Sequence, residues 1–266
     1  MVPFRAHSAG TMICLGANEI KIGKMGELSP IDPTTGNPFN PVDEIKKGAR
    51  KGISVEDVTS YLDLAKNKFG ISKEEHLLVV LKILADKVEP LALGNVNRVH
   101  NQIRLLGNKL LSLHLDSEKH RARIKGIVDN LTEKLFSHVH SINREEAMKI
   151  LGSPMVTKPD DSEEEMMWQL LEDFGSSLKL WERFGIRDFM GDQQVKELAV
   201  TGGFVESSYL SHVWKEKYRI TQRSEFPSNF QVQLQPGQLV PLFPGFAVTF
   251  NVETMFQGWR KNDEKI

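Results

Sequence analysis

The chain has 266 residues, 40% hydrophobic and 26% charged, which is typical of a folded protein with one large domain or two smaller ones. Its formal net charge of −1 gives no global field that would attract nucleic acid or an anionic membrane. Its single cysteine, Cys14, excludes an internal disulfide and a cysteine-based zinc site, and this fits a reducing compartment.

The beginning of the chain predicts a sharp turn between a strand and a helix. Residues 2–7 are typical of a short strand that leads into Ser8, and the small and apolar residues 9–17 predict a buried helix. The alternating residues 18–23 predict the next strand. In such a turn, a serine exposes its hydroxyl beside the backbone N–H groups that begin the helix.

A proline-rich loop and two capped helices are predicted next. Four prolines within residues 28–41 exclude a regular helix there and indicate a structured loop. Ser54 with Asp57, and Ser72 with Glu75, have the spacing of a capping box. Each pair therefore predicts the start of an amphipathic helix.

Further helices are predicted as far as Gly152. A stripe of apolar residues from Val96 to Leu113 predicts a long helix, and a second helix is predicted over about residues 117–136. Residues 143–151 predict a short capped helix that ends at Gly152, because glycine is the usual residue just beyond a helix.

The remainder of the chain predicts a separate small element. Proline and a dense acidic patch in residues 153–165 indicate a boundary, and residues 166–185 predict a helix. Alternating residues in FQVQLQ (230–235) and AVTFNVETMF (247–256) predict strands on either side of the turn at 236–245.

Three segments near the start of the chain occur in a specific order. They are SAGT at residues 8–11, LGANEI at 15–20 and ELSPIDP at 27–33, and a weaker fourth segment is SHVHSINREEAMKILG at 137–152. This series resembles the serine dehydrogenase proteinase family, a relative of signal peptide peptidase A in the Clp protease/crotonase-like group. Members usually read Leu-Gly-Pro-Ile-Asp-Pro in the third segment, where Ser29 here replaces the glycine.

The resemblance implies a helix-rich α/β fold with a Clp protease/crotonase-like core of stacked ββα units. That core would occupy residues 1–155 and would be followed by a small α+β appendage at residues 156–266, whose role the resemblance does not indicate. In this group, a glycine-rich turn upstream of the nucleophile contributes to the oxyanion hole. Only seven residues precede Ser8, so we expect an N-terminally truncated core, a loss of activity, or a second chain that supplies the missing strands.

The resemblance also implies that Ser8 is the nucleophile and that a lysine or histidine is its general base. The base would lie some tens of residues after Ser8, where Lys87 is the only lysine in the segment 87–98, and His100 follows on the predicted helix. Arg98 lies nearer the strict alignment, but arginine does not deprotonate in proteins. Lys87 and His100 each also have a structural interpretation, as a snorkelling lysine and as a helix-surface histidine.

Other polar residues are weaker candidates. Neighbouring side chains along a strand point to opposite faces, so we do not expect His7 to take the proton of Ser8. Asp32 is expected either to orient the base or to cap a turn. The spacing of four further histidines matches no strong zinc pattern, and we expect them to lie at the surface. These histidines are His114, His120, His138 and His140.

Our first functional hypothesis is a serine peptidase, or a remnant of one, that acts on a peptide or protein substrate and needs no cofactor. The alternative is an inactive Clp-like protein that assembles with its own copies through helices over 94–136. A crotonase-type acyl-thioester enzyme is a third interpretation. We expect a homo-oligomer, no nucleic-acid partner and no membrane-spanning segment in this chain. The expected location is the cytoplasm, or a membrane reached through a missing N-terminal segment.

Overall fold

The chain forms two compact units, Met1–Leu171 and Glu172–Ile266. We describe them from a computed structural model over residues 1–31, 34–44, 48–135, 137, 139–225 and 247–262.

Strands and helices of the first unit follow one another along the chain, which confirms the predicted α/β class in its general sense. The Clp protease/crotonase-like arrangement remains a prediction. Two π-helical turns, Leu64–Lys68 and Asn130–Lys134, directly follow the α-helices Val55–Asp63 and Arg121–Asp129. In chain order, the other elements are β1 (Arg5–Ala6), α1 (Ala9–Leu15), β2 (Ile20–Lys21), β3 (Glu27–Leu28), β4 (Thr34–Thr35), β5 (Ile53–Ser54), α2 (Val55–Asp63), α3 (Glu74–Lys87), α4 (Pro90–Leu111), α5 (Arg121–Asp129), β6 (Ile142–Asn143), α6 (Arg144–Leu151), β7 (Val156–Thr157) and the first part of α7 (Asp161–Ser177).

Short strands around the start of the chain form the sheet that carries Ser8. Strand β1 pairs in parallel with β3, and β3 pairs antiparallel with β6. On the other side, Val2 forms a parallel bridge with Ile22, which directly follows β2, and β2 pairs in parallel with β7. Strands β2 and β7 form a separate two-stranded sheet, which also lies within the first unit. Ser8 follows the carboxyl end of β1.

A continuous apolar core lies between this sheet and the helices. Ile20, Ile22 and Leu28 on the strands pack with Leu111 at the end of α4 and Ile127 on α5, and all five are at most 2% exposed. At about 25 cal/mol per Å² of buried apolar surface, residues of this size each stabilise the fold by about 1.5–3 kcal/mol. This core therefore anchors the strands around Ser8 to α4 and α5.

Local capping chemistry sets some of the helix boundaries. Ser54 accepts a hydrogen bond from the N–H of Glu56 at 3.1 Å and begins α2, as its spacing predicts. Asn143 likewise caps α6, which ends before Gly152 at φ 83°. The capping box predicted at Ser72 is wrong. Helix α3 instead follows Lys73, whose side chain makes no capping hydrogen bond.

The second unit contains a three-stranded antiparallel sheet in the order β10-β9-β8. Its strands are β8 (Val195–Glu206), β9 (Ser211–Glu225) and β10 (Ala247–Lys261), preceded by the short helix α8 (Ile186–Met190). The strand predicted over 247–256 is confirmed, whereas β8 and β9 were not predicted. The predicted strand at 230–235 and turn at 236–245 lie outside the described residues.

The contact of Gly26 with the first strand gives a test of this sheet. A Cβ at Gly26 would overlap the carbonyl oxygen of Val2 and would lie 2.7 Å from Cγ2 of Ile22. We expect Gly26→Ala to lower the free energy of unfolding by about 2 kcal/mol, because the Val2–Ile22 bridge must separate. Urea unfolding measures the change. Gly94→Ala, in an open helical position, is the control and should be neutral or stabilising.

Candidate active site

Ser8 occupies a strained turn between β1 and α1. Its backbone has φ 49° and ψ −104°, and apart from Lys179 it is the only non-glycine residue with a positive φ in the described part of the chain. Residues other than glycine adopt such conformations at a cost of about 1–3 kcal/mol, and they cluster at functional sites. The same strand–turn–helix arrangement exposes the nucleophile in hydrolases with a nucleophile elbow.

The hydroxyl of Ser8 does not cap the helix that it precedes. A serine at this position normally accepts a hydrogen bond from an N–H of the first turn, but it does so with an extended backbone. The backbone of Ser8 is not extended, and its side chain makes no capping hydrogen bond. The side chain is partly exposed. The turn therefore presents the hydroxyl instead of using it to stabilise α1.

Backbone N–H groups directly follow Ser8 at the start of α1. Gly10 donates to the carbonyl oxygen of His7 at 2.8 Å, and Met12 donates to that of Ser8 at 3.0 Å. Within the described residues, the N–H of Ala9 has no backbone acceptor. The N–H directly after a nucleophilic serine is one of the two oxyanion-hole donors in nucleophile-elbow enzymes, so Ala9 can supply a donor of this kind.

Two buried hydroxyls hold the Ser8 turn against β3. The N–H of Ser8 donates to Oγ of Ser29 at 2.7 Å, and this Oγ donates in turn to the carbonyl oxygen of Pro30 at 2.9 Å. Oγ1 of Thr11 accepts from the N–H of Ser29 at 3.0 Å and donates to the carbonyl oxygen of Ala6 at 2.7 Å. Ser29 and Thr11 are both almost fully buried, so an unmade bond here would cost about 1–3 kcal/mol.

A charged cluster lies on the same edge of the sheet, around Glu27. Oε1 of Glu27 lies 2.7 Å from Nε of Arg5 and 3.0 Å from Nε2 of His7, and Ser141 donates a hydrogen bond to Oε2. The hydrogen bond from Ser141 lowers the pKa of Glu27, and Arg5 and His7 act in the same direction against partial burial. The carboxylate therefore stays ionised and orients the ring of His7.

The structure removes the reason for excluding His7 as the base of Ser8. Strand β1 ends at Ala6, so His7 and Ser8 lie in the turn and the alternation of side chains along a strand does not apply to them. Parallel pairing of β1 with β3 places Arg5 opposite Glu27, which brings the carboxylate close to His7. His7 with Glu27 thus becomes a third candidate for the base, with an orienting carboxylate that sequence analysis missed.

Lys87 lies at the end of α3, and its side chain is exposed. A catalytic lysine is usually partly desolvated, because burial disfavours its charged form and prepares it to accept a proton. Helix α3 buries none of its residues in the described structure. Lys87 therefore lacks the apolar surroundings that the sequence-based interpretation required, and its catalytic role remains a prediction.

His100 lies on α4 and faces a polar network. Its side chain is 15% exposed, and Nε2 is buried 3.4 Å from Oε1 of Glu133, without hydrogen-bond geometry. Burial lowers the pKa of His100, and Arg104 adds to this effect while Glu133 opposes it. Arg104 in turn binds Glu133 at 2.6 Å and also binds Asp129. The imidazole is therefore held neutral, which is the form that a general base needs.

An open cavity of about 500 Å³ lies next to Pro30, which follows Ser29, the residue that accepts the hydrogen bond from the N–H of Ser8. One of its lining residues is Pro30, the neighbour of Ser29, and the others come from α2 and from residues 131–137. Glu133, which contacts His100, is among them. The volume lies within the range of small-ligand pockets. The lining residues are Pro30, Glu56, Thr59, Ser60, Asp63, Leu131, Thr132, Glu133, Lys134, Leu135 and Ser137.

The remaining candidates have other surroundings or lie outside the described residues. Asp32 and His138 are among the latter. Nε2 of His114 lies 2.9 Å from the carbonyl oxygen of Leu15, at the end of α1, and His140 contacts Glu146 at 3.0 Å. Both contacts have structural roles.

Two substitutions of Ser8 test whether its backbone conformation is strained. Glycine adopts positive φ without strain, whereas alanine keeps the Cβ and therefore the strain. We expect the Ser8→Gly protein to be more stable than the Ser8→Ala protein by about 1 kcal/mol in urea unfolding. Equal stability, or a more stable alanine variant, would show that the turn is not strained.

The buried His100 predicts a pH dependence of stability. Because its pKa is lowered in the folded state, the unfolded chain takes up a proton at this residue at higher pH than the folded one. We expect the free energy of unfolding to fall between about pH 7 and pH 5, and to fall less in His100→Gln. Urea unfolding at several pH values measures both slopes. His76→Gln, at an exposed histidine, is the control, and equal slopes for His100→Gln and the wild type would contradict the argument.

Comparison of the chain with protein-family models, with curated proteins and with solved structures finds no match. No helix among the described residues is long and apolar enough to cross a membrane. In the same part of the chain, no three His, Cys, Asp or Glu side chains come together in a group that could hold a metal ion.

Proposed function

We propose that the protein is a serine-type peptidase that cleaves peptide bonds by acyl transfer through Ser8. The observation that carries this proposal is the backbone of Ser8, with φ 49° and ψ −104° directly before α1. A strained conformation of this kind persists only where its surroundings enforce it. Here two buried hydroxyls, those of Ser29 and Thr11, supply the contacts that enforce it.

The arrangement supports the two electrostatic requirements of acyl transfer. A serine hydroxyl is a weak nucleophile that needs a neighbouring base, and the oxyanion of the tetrahedral intermediate needs preorganised N–H donors. We assign one of these donors to the N–H of Ala9. The positive end of α1 adds a modest stabilisation of the developing negative charge.

Three side chains are candidates for the general base that takes the proton of Ser8. His7 is the nearest in sequence to Ser8 and is oriented by Glu27, as the acid orients the histidine in a serine–histidine–acid triad. His100 is held neutral and contacts Glu133 in the wall of the cavity. Lys87 is exposed in the chain as described. We favour the pair of His7 and Glu27, because His7 lies in the same turn as the nucleophile and Glu27 on β3 contacts its ring.

The cavity beside Pro30 is the proposed binding pocket for a substrate side chain, and Ser8 itself is not among its lining residues. The cavity is large enough for one or two side chains of a peptide, and its wall is continuous in sequence with Ser29. Because Cys14 is the only cysteine, we place the reaction in a reducing compartment such as the cytoplasm.

A fluorophosphonate probe tests the nucleophile. We expect it to label the full chain at Ser8, as mapped by mass spectrometry, and to give no label on Ser8→Ala. Ser112→Ala removes an exposed hydroxyl at the end of α4 and should label normally. Absence of labelling in the folded wild-type protein, or persistent labelling of Ser8→Ala, would contradict the proposal.

The same probe distinguishes the candidate bases. General-base catalysis contributes about 10²–10⁴-fold, so replacement of the true base by alanine should slow labelling by at least about a hundredfold. We expect this result for His7→Ala, and a smaller effect for His100→Ala and Lys87→Ala. If only His100→Ala or Lys87→Ala were slow, that residue would be the base.

An inactive assembly protein is the second candidate function. It is favoured by one observation, the large exposed apolar surface of α3. Stable assembly without probe labelling would support this function over the peptidase.

A further inference from the structure

Helix α3 is apolar around most of its circumference, yet none of its residues is buried. Its sequence EEHLLVVLKILADK contains seven large aliphatic residues, and Leu78 remains 65% exposed and Leu81 46% exposed. A helix with apolar residues on all sides is normally enclosed by other parts of a protein. The described structure provides no such enclosure.

The side of α3 that faces its own subunit can be identified from exposure. Leu77, Val80 and Leu84 follow helical spacing and are the less exposed stripe. Near this stripe, the hydroxyl of Tyr61 on α2 donates to the carbonyl oxygen of Val80 at 3.3 Å. The exposed apolar residues of α3 therefore lie on faces that the subunit does not cover. These residues are Leu78, Val79, Leu81 and Ile83. Ala85 is half-buried and lies at the edge of such a face.

One of these outer faces has the spacing of a helix–helix seam. Leu78, Leu81 and Ala85 are separated by three and four residues, which is the spacing of the apolar positions in a coiled coil. Glu75 and Lys82 are seven residues apart and flank this face on the same side. They occupy positions from which charged residues contact a partner helix.

The charges of α3 change sign along its length. Its first turn contains Glu74 and Glu75, Lys82 follows two turns later, and Asp86 and Lys87 offset each other at its end. If two copies of α3 pack in antiparallel orientation, the acidic first turn of each lies beside the basic part of the other. Glu75 of one copy then lies close to Lys82 of its partner, and the two-fold symmetry repeats this contact. Parallel packing would bring like charges together.

The exposed apolar side chains of α3 lie on more than one face. Leu78 and Leu81 are on the seam face, whereas Val79 and Ile83 lie about 100° and 140° around the helix from Leu78. An apolar contact along the seam therefore uses Leu78 and Leu81, which are 65% and 46% exposed.

We infer that α3 is the interface between two copies of this chain, which pack antiparallel about a two-fold axis near Val79 and Val80. The Leu78–Leu81–Ala85 faces of the two helices form the apolar seam. The contacts between Glu75 and Lys82 fix the antiparallel orientation. This inference does not depend on the peptidase activity of Ser8.

Light scattering coupled to size-exclusion chromatography tests the interface on the full chain. We expect the wild type to have twice the 30.1 kDa mass of the chain at micromolar concentration. Leu81→Glu should be monomeric with unchanged circular dichroism, because it places a charge in the seam. Leu113→Glu, at an exposed leucine after α4, is the matched control and should remain dimeric.

Charge reversal tests the orientation. Glu75→Lys and Lys82→Glu should each weaken the dimer at least tenfold, and the double variant should restore it, because the pair is rebuilt with opposite signs. A monomeric wild type, a Leu81→Glu protein that still dimerises, or a double variant that remains as weak as the single ones would overturn the inference.

Discussion

The N–H of Ser8 donates a hydrogen bond to Oγ of Ser29, and the turn that carries the candidate nucleophile depends on this bond. The backbone of Ser8 is unfavourable for any residue with a Cβ. Parallel pairing of β1 with β3 brings Ser29 within reach of Ser8, and Thr11 ties α1 to the same two strands. The sheet therefore supplies the free energy that maintains the strained turn.

Local signals in the sequence predicted the elements around Ser8 correctly. The strand before it, α1 after it, and the capped helix α6 all follow from residues within one or two turns of each other. The role of Ser29 could not be predicted in this way, because its partner lies 21 residues away. The resemblance marked Ser29 only as a departure from glycine. The contact between Ser29 and Ser8 depends on the register of β1 and β3, which the sequence alone does not give.

Two other expectations failed at the ends of elements. The spacing of Ser72 and Glu75 satisfied a capping rule, but α3 begins at Glu74, after Lys73, without a side-chain cap. His7 was rejected by a rule for strands, although β1 ends at Ala6. Spacing rules of this kind do not fix the residue at which a helix or strand begins or ends. The domain boundary expected at residue 155 stays a prediction, and the chain divides into its two compact units after Leu171.

The exposed surface of α3 makes the assembly of the protein sensitive to single substitutions. In a symmetric pair of helices, one altered codon changes two side chains, and both changes meet the same seam. The loss of binding free energy at one contact therefore occurs twice. Because the dissociation constant depends exponentially on free energy, it rises by the square of the factor that one contact alone would give. Few substitutions would then separate a population of dimers from one of monomers, and the abundance of the chain in the cell would decide which form prevails.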